Sequence, residues 1–231
     1  MNHFAYLLFI LLILNSCTSK KTVEVKEQEK PVTVMYETDF SKPELGNEWI
    51  TAFCIKKNLI QDGTLYGAMK KGAKHSAIYG LKFDDFQNFE YEIDYQFNNA
   101  EWFSFNIRDL NYTGSHAGHI GGVKIYLNKL ILQDKKYGWM DMKMRAMKKN
   151  DQKTKDYLNT TITSIDHTSS QNKWHTLKVR VQNGEMKVFI NNKLIGSHKS
   201  KCFDHPTSNS LTLQVKEQSV NFDNLKITKL D

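Results

Sequence analysis

The most regular alternation of apolar and polar residues lies in residues 173–197, KWHTLKVRVQNGEMKVFINNKLIGS. Asn183-Gly184 in this segment is a strong signal for a two-residue type I′ turn, because both central residues must adopt a positive φ. With the turn there, one face carries only apolar pairs: Val181–Met186, Val179–Val188 and Leu177–Ile190. A slip of one residue would turn this set toward water. The pattern therefore predicts an antiparallel hairpin with one buried face.

A third strand is predicted to follow this hairpin after a turn at Asn191-Asn192. That turn would set Leu194 beside Phe189 and Ile195 beside Val188. The three strands then form a meander with one apolar face, so other segments must supply the opposing layer.

Similar short alternating segments recur along the rest of residues 34–231, separated by turn signals. Residues 102–110 place Phe103, Phe105 and Ile107 on one face. A hairpin around Asn128-Lys129 is predicted to pair Leu127 with Leu130 and Ile125 with Leu132. In the last segment the apolar phase changes near Asp223-Asn224, which predicts a β-bulge. Many short strands of this kind are typical of an all-β, antiparallel β-sandwich.

Residues 139–158 (WMDMKMRAMKKNDQKTKDYL) interrupt the β pattern. They contain no Gly or Pro, are rich in helix formers, and place Met140, Met144 and Met147 at helical spacing. Met140, Met142 and Met144 also alternate, so a strand leading into a helix is equally allowed. We expect a partly helical insertion over one edge of the sandwich.

The first residues carry an address signal and not a structural element. Residues 4–14 are an unbroken apolar run, too short to span a bilayer and suited to a signal peptide. The run ends in Leu14-Asn15-Ser16-Cys17, which resembles a bacterial lipobox. This implies a signal peptide over residues 1–16, acylation (palmitate) of Cys17 and a charged tether over residues 17–33. The expected product is a membrane-anchored lipoprotein of the bacterial cell envelope, at the outer membrane or cell surface.

Composition adds two constraints. The formal net charge of +7 belongs wholly to the mature chain and favours an anionic partner, but the lysines are scattered among acids, as in ordinary solubility charge. With Cys17 acylated, Cys54 and Cys202 remain, either as one disulfide or as two thiols. The sequence has no zinc-type cysteine spacing, phosphate-binding glycine loop or nucleic-acid motif.

Several segments together resemble a known sandwich family. WHTLKVRVQNGEMKVFINNKLIG and the closing pair LTLQVKEQSVNFDNLKI resemble strands of concanavalin A-like lectin and glucanase domains. FEYEIDYQFNNAEWFSFNIRD and GGVKIYLNKLILQD resemble the earlier strand pairs. The order of these pieces is similar to that in 3-keto-disaccharide hydrolase-like domains. The resemblance implies a jelly-roll β-sandwich over residues 34–231 that binds or processes carbohydrate.

An acid-rich segment and a histidine-rich segment are candidates for catalysis. Glu92-Ile93-Asp94-Tyr95-Gln96 resembles the acidic strand of family 16 glycosidases, but Gln96 replaces the second carboxylate that a retaining mechanism needs. The loop DLNYTGSHAGHIGG places His116 and His119 near each other, where they could bind one divalent metal ion or act as a general base. Asp109 or Asp134 would supply oxygen, and two hydrogen-bonding surface histidines are the simpler alternative.

A sugar-binding surface is the other candidate site. Trp102, Asn106 and Arg108 share the face opposite Phe103, and Tyr112 follows in the loop. An indole stacks on a sugar ring, while Arg and Asn bind hydroxyl or carboxylate groups. Trp102 buried under the Met-rich insertion is the alternative.

Three functions remain open from the sequence. The first is glycan binding, acidic glycans included, through Trp102, Asn106, Arg108 and Tyr112. The second is a glycoside hydrolase or lyase with His116, His119 and Asp134 as its catalytic or metal-binding group. The third is a non-catalytic structural lipoprotein, which would have no polar pocket.

Overall fold

The computed structural model describes residues 32–55, 59–147, 151–217 and 219–231. Their backbone forms fifteen strands and two short α-helices, which confirms the predicted all-β class. The strands are β1 (Thr33–Thr38), β2 (Trp49–Phe53), β3 (Ile60–Gln61), β4 (Thr64–Gly67), β5 (Ala77–Phe86), β6 (Phe89–Phe97), β7 (Ala100–Arg108), β8 (His119–Ile125), β9 (Lys129–Asp134), β10 (Ile162–Asp166), β11 (Trp174–Gln182), β12 (Glu185–Ile190), β13 (Lys193–Lys199), β14 (Ser208–Glu217) and β15 (Val220–Lys229).

The strands form two antiparallel sheets that pack face to face. The first sheet has the order β13-β12-β11-β6-β15-β4-β3, and β1 also pairs with β15. The second sheet has the order β10-β9-β8-β7-β14-β5-β2. Strands distant in the sequence, such as β7 and β14, are neighbours. The sandwich therefore forms only when the chain's two halves come together.

The space between the sheets is filled by large apolar side chains. Tyr91 and Tyr95 of the first sheet meet Phe103 and Phe105 of the second, with ring centroids of Tyr91 and Phe105 4.1 Å apart. Phe222 packs edge-on against Phe103 at 5.3 Å. Burial of this surface is the main favourable contribution to folding. It also fixes which face of each strand points outward.

The predicted hairpin of residues 173–197 has the expected register. Val181 pairs with Met186 and Leu177 with Ile190, and Asn183 and Gly184 have φ of 52° and 72°. The third strand follows, with Leu194 beside Phe189 as predicted. The predicted pairing of Ile195 with Val188 is wrong, because a bulge places Gly196 there instead.

Two further local predictions had different outcomes. The bulge near Asp223-Asn224 is confirmed by the register shift between β15 and β6. The predicted register of the hairpin around Asn128-Lys129 is wrong by two residues. Ile125 pairs with Leu130, and Tyr126 donates its backbone N–H to the Lys129 carbonyl at 2.9 Å.

The predicted insertion is partly helical, as expected. It contains α1 (Met142–Ala146) and α2 (Gln152–Thr160), whose first turns are capped by the carboxylates of Asp141 and Asp151. The segment before α1 is held on the loop after β7. There, His116 donates its backbone N–H to the Met140 carbonyl at 2.7 Å. The insertion therefore lies beside the second sheet.

The address signal and the lipidation site Cys17 lie outside the described residues, so they remain predictions. Among the residues that are described, no helix is long and apolar enough to cross a membrane. Cys54 and Cys202 are both free thiols, so the disulfide considered for them is not formed.

Candidate functional site

The candidate site lies on the outer face of the second sheet, which we call the polar face. Because Phe103 and Phe105 point into the core, alternation turns Trp102, Ser104 and Asn106 outward. Pairing then adds outward residues of the neighbouring strands, since directly paired residues share a face. These residues are Lys124 and Gly122 of β8 and Thr212 and Gln214 of β14.

A cleft of about 190 Å³ opens on the polar face between β7, β9 and the start of the insertion. Its lining combines two indoles with side chains that carry amide, hydroxyl, amine and carboxyl groups. The lining residues are Trp102, Ser104, Lys124, Gln133, Asp134, Lys135, Trp139, Met140 and Gln214.

Asn106 lies in the floor of the polar face and is completely buried. Its amide nitrogen donates to Ser104 Oγ at 3.2 Å and to Thr212 Oγ1 at 3.4 Å. On the other side of the amide, Oδ1 accepts a hydrogen bond from Lys135 Nζ. Asn106 therefore holds Lys135 in place. Its own amide is used within the protein.

Lys135 is the most unusual ionisable group of the cleft. It directly follows β9, its backbone N–H donates to the Ile120 carbonyl at 2.9 Å, and its residue is only 8% exposed. Burial, and secondarily the positive charge of Lys124, lowers the pKa of Lys135 from 10.5 to about 7. A large fraction of Lys135 is therefore an uncharged amine at neutral pH.

A glycine makes room for the contact between Asn106 and Lys135. A Cβ atom at Gly122 would lie 2.4 Å from the Phe105 carbonyl oxygen and 3.1 Å from Asn106 Oδ1. Any other residue at this position would push against the amide that binds Lys135.

Trp102 and Lys124 form the rim of the cleft next to Lys135. Lys124 Nζ lies 3.8 Å from the centroid of the Trp102 ring, a cation–π contact. Trp102 is only partly buried, so it is not a core residue under the insertion. The second indole of the cleft, Trp139, is 41% exposed.

The two histidines of the loop after β7 have different environments. His116 is exposed, whereas His119 is 7% exposed and its Nδ1 has no hydrogen-bond partner among the described residues. Burial, together with the positive charges of Lys135 and Arg108, holds the pKa of His119 well below its usual range. His119 is therefore uncharged at neutral pH.

Asp134 borders the cleft, but its carboxylate does not join these histidines. Asp134 pairs with Gly121, and Gly121 pairs with the core residue Ile107, so Asp134 lies on the inward side of the sheet. His119 pairs with Arg108, which lies on the outward side. The Asp134 carboxylate accepts hydrogen bonds from Ser200 Oγ at 2.5 Å and from the Tyr137 backbone N–H at 2.9 Å.

The metal-binding group expected from His116, His119 and Asp134 is therefore not assembled. No cluster of three or more His, Cys, Asp or Glu side chains within the described ranges could hold a metal ion. The same separation removes the three-residue catalytic group expected from these positions.

Arg108 and Tyr112, the other predicted sugar ligands, lie outside the cleft. Arg108 is half-buried and donates from Nε to the Ala117 carbonyl at 2.8 Å. Tyr112 packs on the ring of His205, with centroids 5.2 Å apart. Of the four predicted ligands, Trp102 lines the cleft and Asn106 supports it.

The loop that carries Tyr112 is anchored by a buried hydrogen bond between an imidazole and a carboxylate. Asp109 Oδ2 lies 2.8 Å from His205 Nε2 and also accepts a hydrogen bond from Thr207 Oγ1 at 2.8 Å. Burial alone would raise the pKa of Asp109. Hydrogen bonds from His205 and Thr207 have the larger combined effect, so the pKa of Asp109 is lower than its ordinary value. Lys136 Nζ is 3.0 Å from His205 Nδ1, so a neutral His205 accepts there and donates from Nε2 to Asp109.

The acids that resemble a glycosidase strand are on the first sheet, away from the cleft. Glu90 Oε2 pairs with Arg180 Nη2 at 2.7 Å, and Glu92 Oε2 pairs with Lys178 Nζ at 2.9 Å. Asp94 accepts a hydrogen bond from Thr176 Oγ1 at 2.6 Å. These acids form a paired, solvated face.

Three residues of the cleft are only weakly indicated by the sequence pattern. Lys135 was not identified, although the alternation of Ile131 and Gln133 extends to it on the outward face. Gln214 could have been found in the same way from LTLQV, where Leu211 and Leu213 are core residues. Trp139 lies in the irregular insertion, where no period indicates its direction.

Comparison with known proteins identifies the family. Residues 37–228 match the family described as the 3-keto-alpha-glucoside-1,2-lyase-like domain. The chain belongs to this family. No curated protein matches the sequence.

Solved structures with similar folds cover most of this 3-keto-alpha-glucoside-1,2-lyase-like domain. Crh5 transglycosylase in complex with NAG has 11% identity and a TM-score of 0.56, covering 87% of both chains. SCLam, a non-specific endo-beta-1,3(4)-glucanase from family GH16, has 8% identity and a TM-score of 0.55, covering 86% of this chain and 91% of its own.

A third structure is a GlcNAcα1-4Gal-releasing endo-β-galactosidase from Clostridium perfringens. It has 12% identity and a TM-score of 0.57, covering 86% of this chain and 63% of that one. At such low identities these likenesses establish the concanavalin A-like sandwich fold and no more.

Proposed function

We propose that the cleft on the polar face binds a single sugar unit of a glycan, with a preference for sugars that carry a negative charge. The observation that carries the proposal is the combination of two indoles, Trp102 and Trp139, with amide and amine groups in one small cleft. Membership of a sugar-lyase-like family and the fold shared with glycan-acting enzymes support a carbohydrate as the ligand.

The shape of the cleft suits a small, flat ligand. Its volume of about 190 Å³ is below the roughly 300 Å³ at which sites for drug-sized molecules begin. The partly exposed ring of Trp102 offers an apolar surface for the C–H face of a pyranose. Gln133 and Gln214 lie within reach of its hydroxyl groups, and each supplies both a donor and an acceptor.

The charge around the cleft favours an acidic sugar. Lys124 and Lys135 line it, with Lys135 charged in about half of the molecules at neutral pH, and Arg108 and Arg145 are close enough to depress the pKa of His119. None of the ion pairs found among the described residues includes any of these four cations. An anionic ligand would supply the missing counter-charge, and its carboxylate would be held by charge-assisted hydrogen bonds.

The proposal is tested by calorimetric titration of the purified protein with a uronate-containing oligosaccharide and with its neutral counterpart. We expect Trp102→Ala to weaken binding about five- to thirtyfold, because one indole–sugar stack contributes about 1–2 kcal/mol. Trp174→Ala is the matched control, since Trp174 is a 44% exposed indole on the first sheet. Binding to the acidic ligand should weaken with added salt.

Two results would overturn this assignment. One is the absence of heat with either oligosaccharide, and the other is equal binding by the wild type and the Trp102→Ala variant. A purely structural lipoprotein would have no polar pocket, so the cleft itself counts against that hypothesis.

We also propose that the protein acts from a lipid anchor at the bacterial envelope. The support is the apolar run of residues 4–14 followed by Leu14-Asn15-Ser16-Cys17. Labelled palmitate should be incorporated into the wild type in growing bacteria and lost in Cys17→Ser. Equal labelling of both would refute the anchor at this residue.

A further inference from the structure

We propose that Lys135 is a nucleophilic amine that captures a ring ketone of an oxidised sugar as an imine. This inference rests on the proposed function, because the ketone must first be held in the cleft that Lys135 lines. It adds covalent chemistry to a site otherwise described only as a binding site.

The position of the amine is fixed from two sides. The backbone of Lys135 is held by the Ile120 carbonyl at 2.9 Å, and its Nζ donates to Asn106 Oδ1. Asn106 is itself held by hydrogen bonds from its Nδ2 to Ser104 and Thr212, and its Oδ1 is an acceptor only. An uncharged amine that donates one hydrogen to Asn106 keeps its lone pair available for a ligand in the cleft.

The protonation state suits nucleophilic attack. A lysine is activated when it is desolvated or lies beside another cation, and Lys135 has both features. It is 8% exposed, and its neighbour Lys124 also lines the cleft. With a pKa of about 7, roughly half of Lys135 is free amine at neutral pH. An ordinary surface lysine would be free amine to only about one part in three thousand.

The family supplies the chemical class of the ligand. Its description names a 3-keto-α-glucoside, and a ring ketone is an electrophile that a free amine attacks. The Nζ lone pair adds to the carbonyl carbon to give a carbinolamine. Loss of water then removes the carbonyl oxygen together with both amine hydrogens and leaves a C=N bond. The step needs no oxidant or reductant.

The test is borohydride trapping with methyl 3-keto-α-glucopyranoside as the probe. Reduction of the imine leaves a stable secondary amine, which peptide mass spectrometry can locate. At neutral pH we expect one adduct on Lys135 in the wild type. Lys135→Met and Lys135→Arg should reduce the amount of adduct at least tenfold. Methyl α-glucopyranoside, which has a hydroxyl group in place of the ketone, should give no adduct.

Two other lysines provide controls. Lys136 is adjacent in sequence but contacts His205, so Lys136→Met should keep the adduct on Lys135. Lys124 lowers the pKa of Lys135 through its positive charge. Lys124→Met should therefore raise the pKa of Lys135 and reduce trapping at neutral pH, and trapping should recover as the pH is raised. A merely structural Lys124 would give no such pH-dependent recovery.

Each outcome decides a different claim. Adducts spread over surface lysines, or trapping that survives in Lys135→Met, would overturn the inference. If the oligosaccharides described above bind but the keto-glucoside leaves no adduct, the capture step fails and the binding function stands. If neither binding nor trapping occurs, the proposed function fails as well.

Discussion

Replacement of the buried lysine by methionine should stabilise the protein at low pH. In the folded protein the pKa of Lys135 is lowered from 10.5 to about 7 by burial and by Lys124. Between these values the unfolded chain binds more protons than the folded one, so stability rises with pH. The charge on Lys135 therefore lowers the free energy of unfolding by its full amount below pH 7. This loss of stability disappears above pH 10.5, where the lysine is neutral in the unfolded chain as well. Lys135→Met removes it at every pH.

The magnitude follows from the same two values. Their difference, at about 1.4 kcal/mol per pH unit, corresponds to about 5 kcal/mol at most. The variant leaves the buried Asn106 Oδ1 without its donor, which costs about 1–3 kcal/mol at all pH values. We expect Lys135→Met to be more stable than the wild type by about 2–4 kcal/mol near pH 6. This advantage should shrink by about 3 kcal/mol between about pH 6 and 9.5.

The assay is urea unfolding followed by tryptophan fluorescence over this pH range, with the wild type and the variant side by side. The difference between the two proteins isolates Lys135 from all other titrating groups. Lys193→Met is the control, because Lys193 is exposed and should give a small difference that does not vary with pH. A difference for Lys135→Met that stays constant with pH, or that favours the wild type near pH 6, would refute the reasoning.

Three further predictions concern residues outside the cleft. Asp109→Asn should lower the free energy of unfolding by about 2–3 kcal/mol at neutral pH, because His205 and Thr207 would lose the charged acceptor of their buried hydrogen bonds; unchanged urea midpoints would contradict this. Gly118→Ala should cost more than about 2 kcal/mol, since its φ is +68° and its Cβ would lie 1.9 Å from a carbonyl oxygen. Gly63→Ala, with φ of +72° but open space, should cost only about 1 kcal/mol in the same assay. Burial raises the pKa of Cys202, so a thiol reagent should modify Cys54 at least tenfold faster in the native protein; peptide mapping showing equal rates would count against the buried thiol.

The sequence predicted the meander well because two independent signals agree there. The alternation defines the buried face, and Asn183-Gly184 supplies a turn whose positive φ values of 52° and 72° are observed. A slip by one residue would expose every apolar side chain of this hairpin. Only one register satisfies both requirements.

The register of the hairpin between β8 and β9 could not be predicted from the hydrophobic pattern. The predicted pairing of Ile125 with Leu132 and the observed pairing with Leu130 differ by two residues, so both keep the same side chains inward. Hydrophobic pattern cannot distinguish such registers. The turn decides between them, and Asn128-Lys129 is a weaker turn signal than Asn-Gly.

The candidate site was harder to predict than the fold, because its parts meet only in three dimensions. Lys135 and Asn106 are 29 residues apart, and Thr212 is 106 residues beyond Asn106. The loop histidines appeared together in the sequence, but the sheet separates His119 from Asp134 by turning them to opposite faces. Proximity in the sequence thus predicted a histidine cluster that does not form, and it gave no indication of the contact between Asn106 and Lys135.

The distribution of charge explains why the polar face, and not the first sheet, is the better candidate for a ligand site. On the first sheet, Glu90 and Glu92 are paired with Arg180 and Lys178, so that face is satisfied without a ligand. Around the cleft the cations have no ion-pair partner among the described residues. A protein that buries a lysine without a counter-charge loses stability, and such losses are typical of functional sites. The pH-dependent gain expected for Lys135→Met is the measure of that loss. If it is found together with loss of ketone trapping, the residue that destabilises the fold is the one that performs the chemistry.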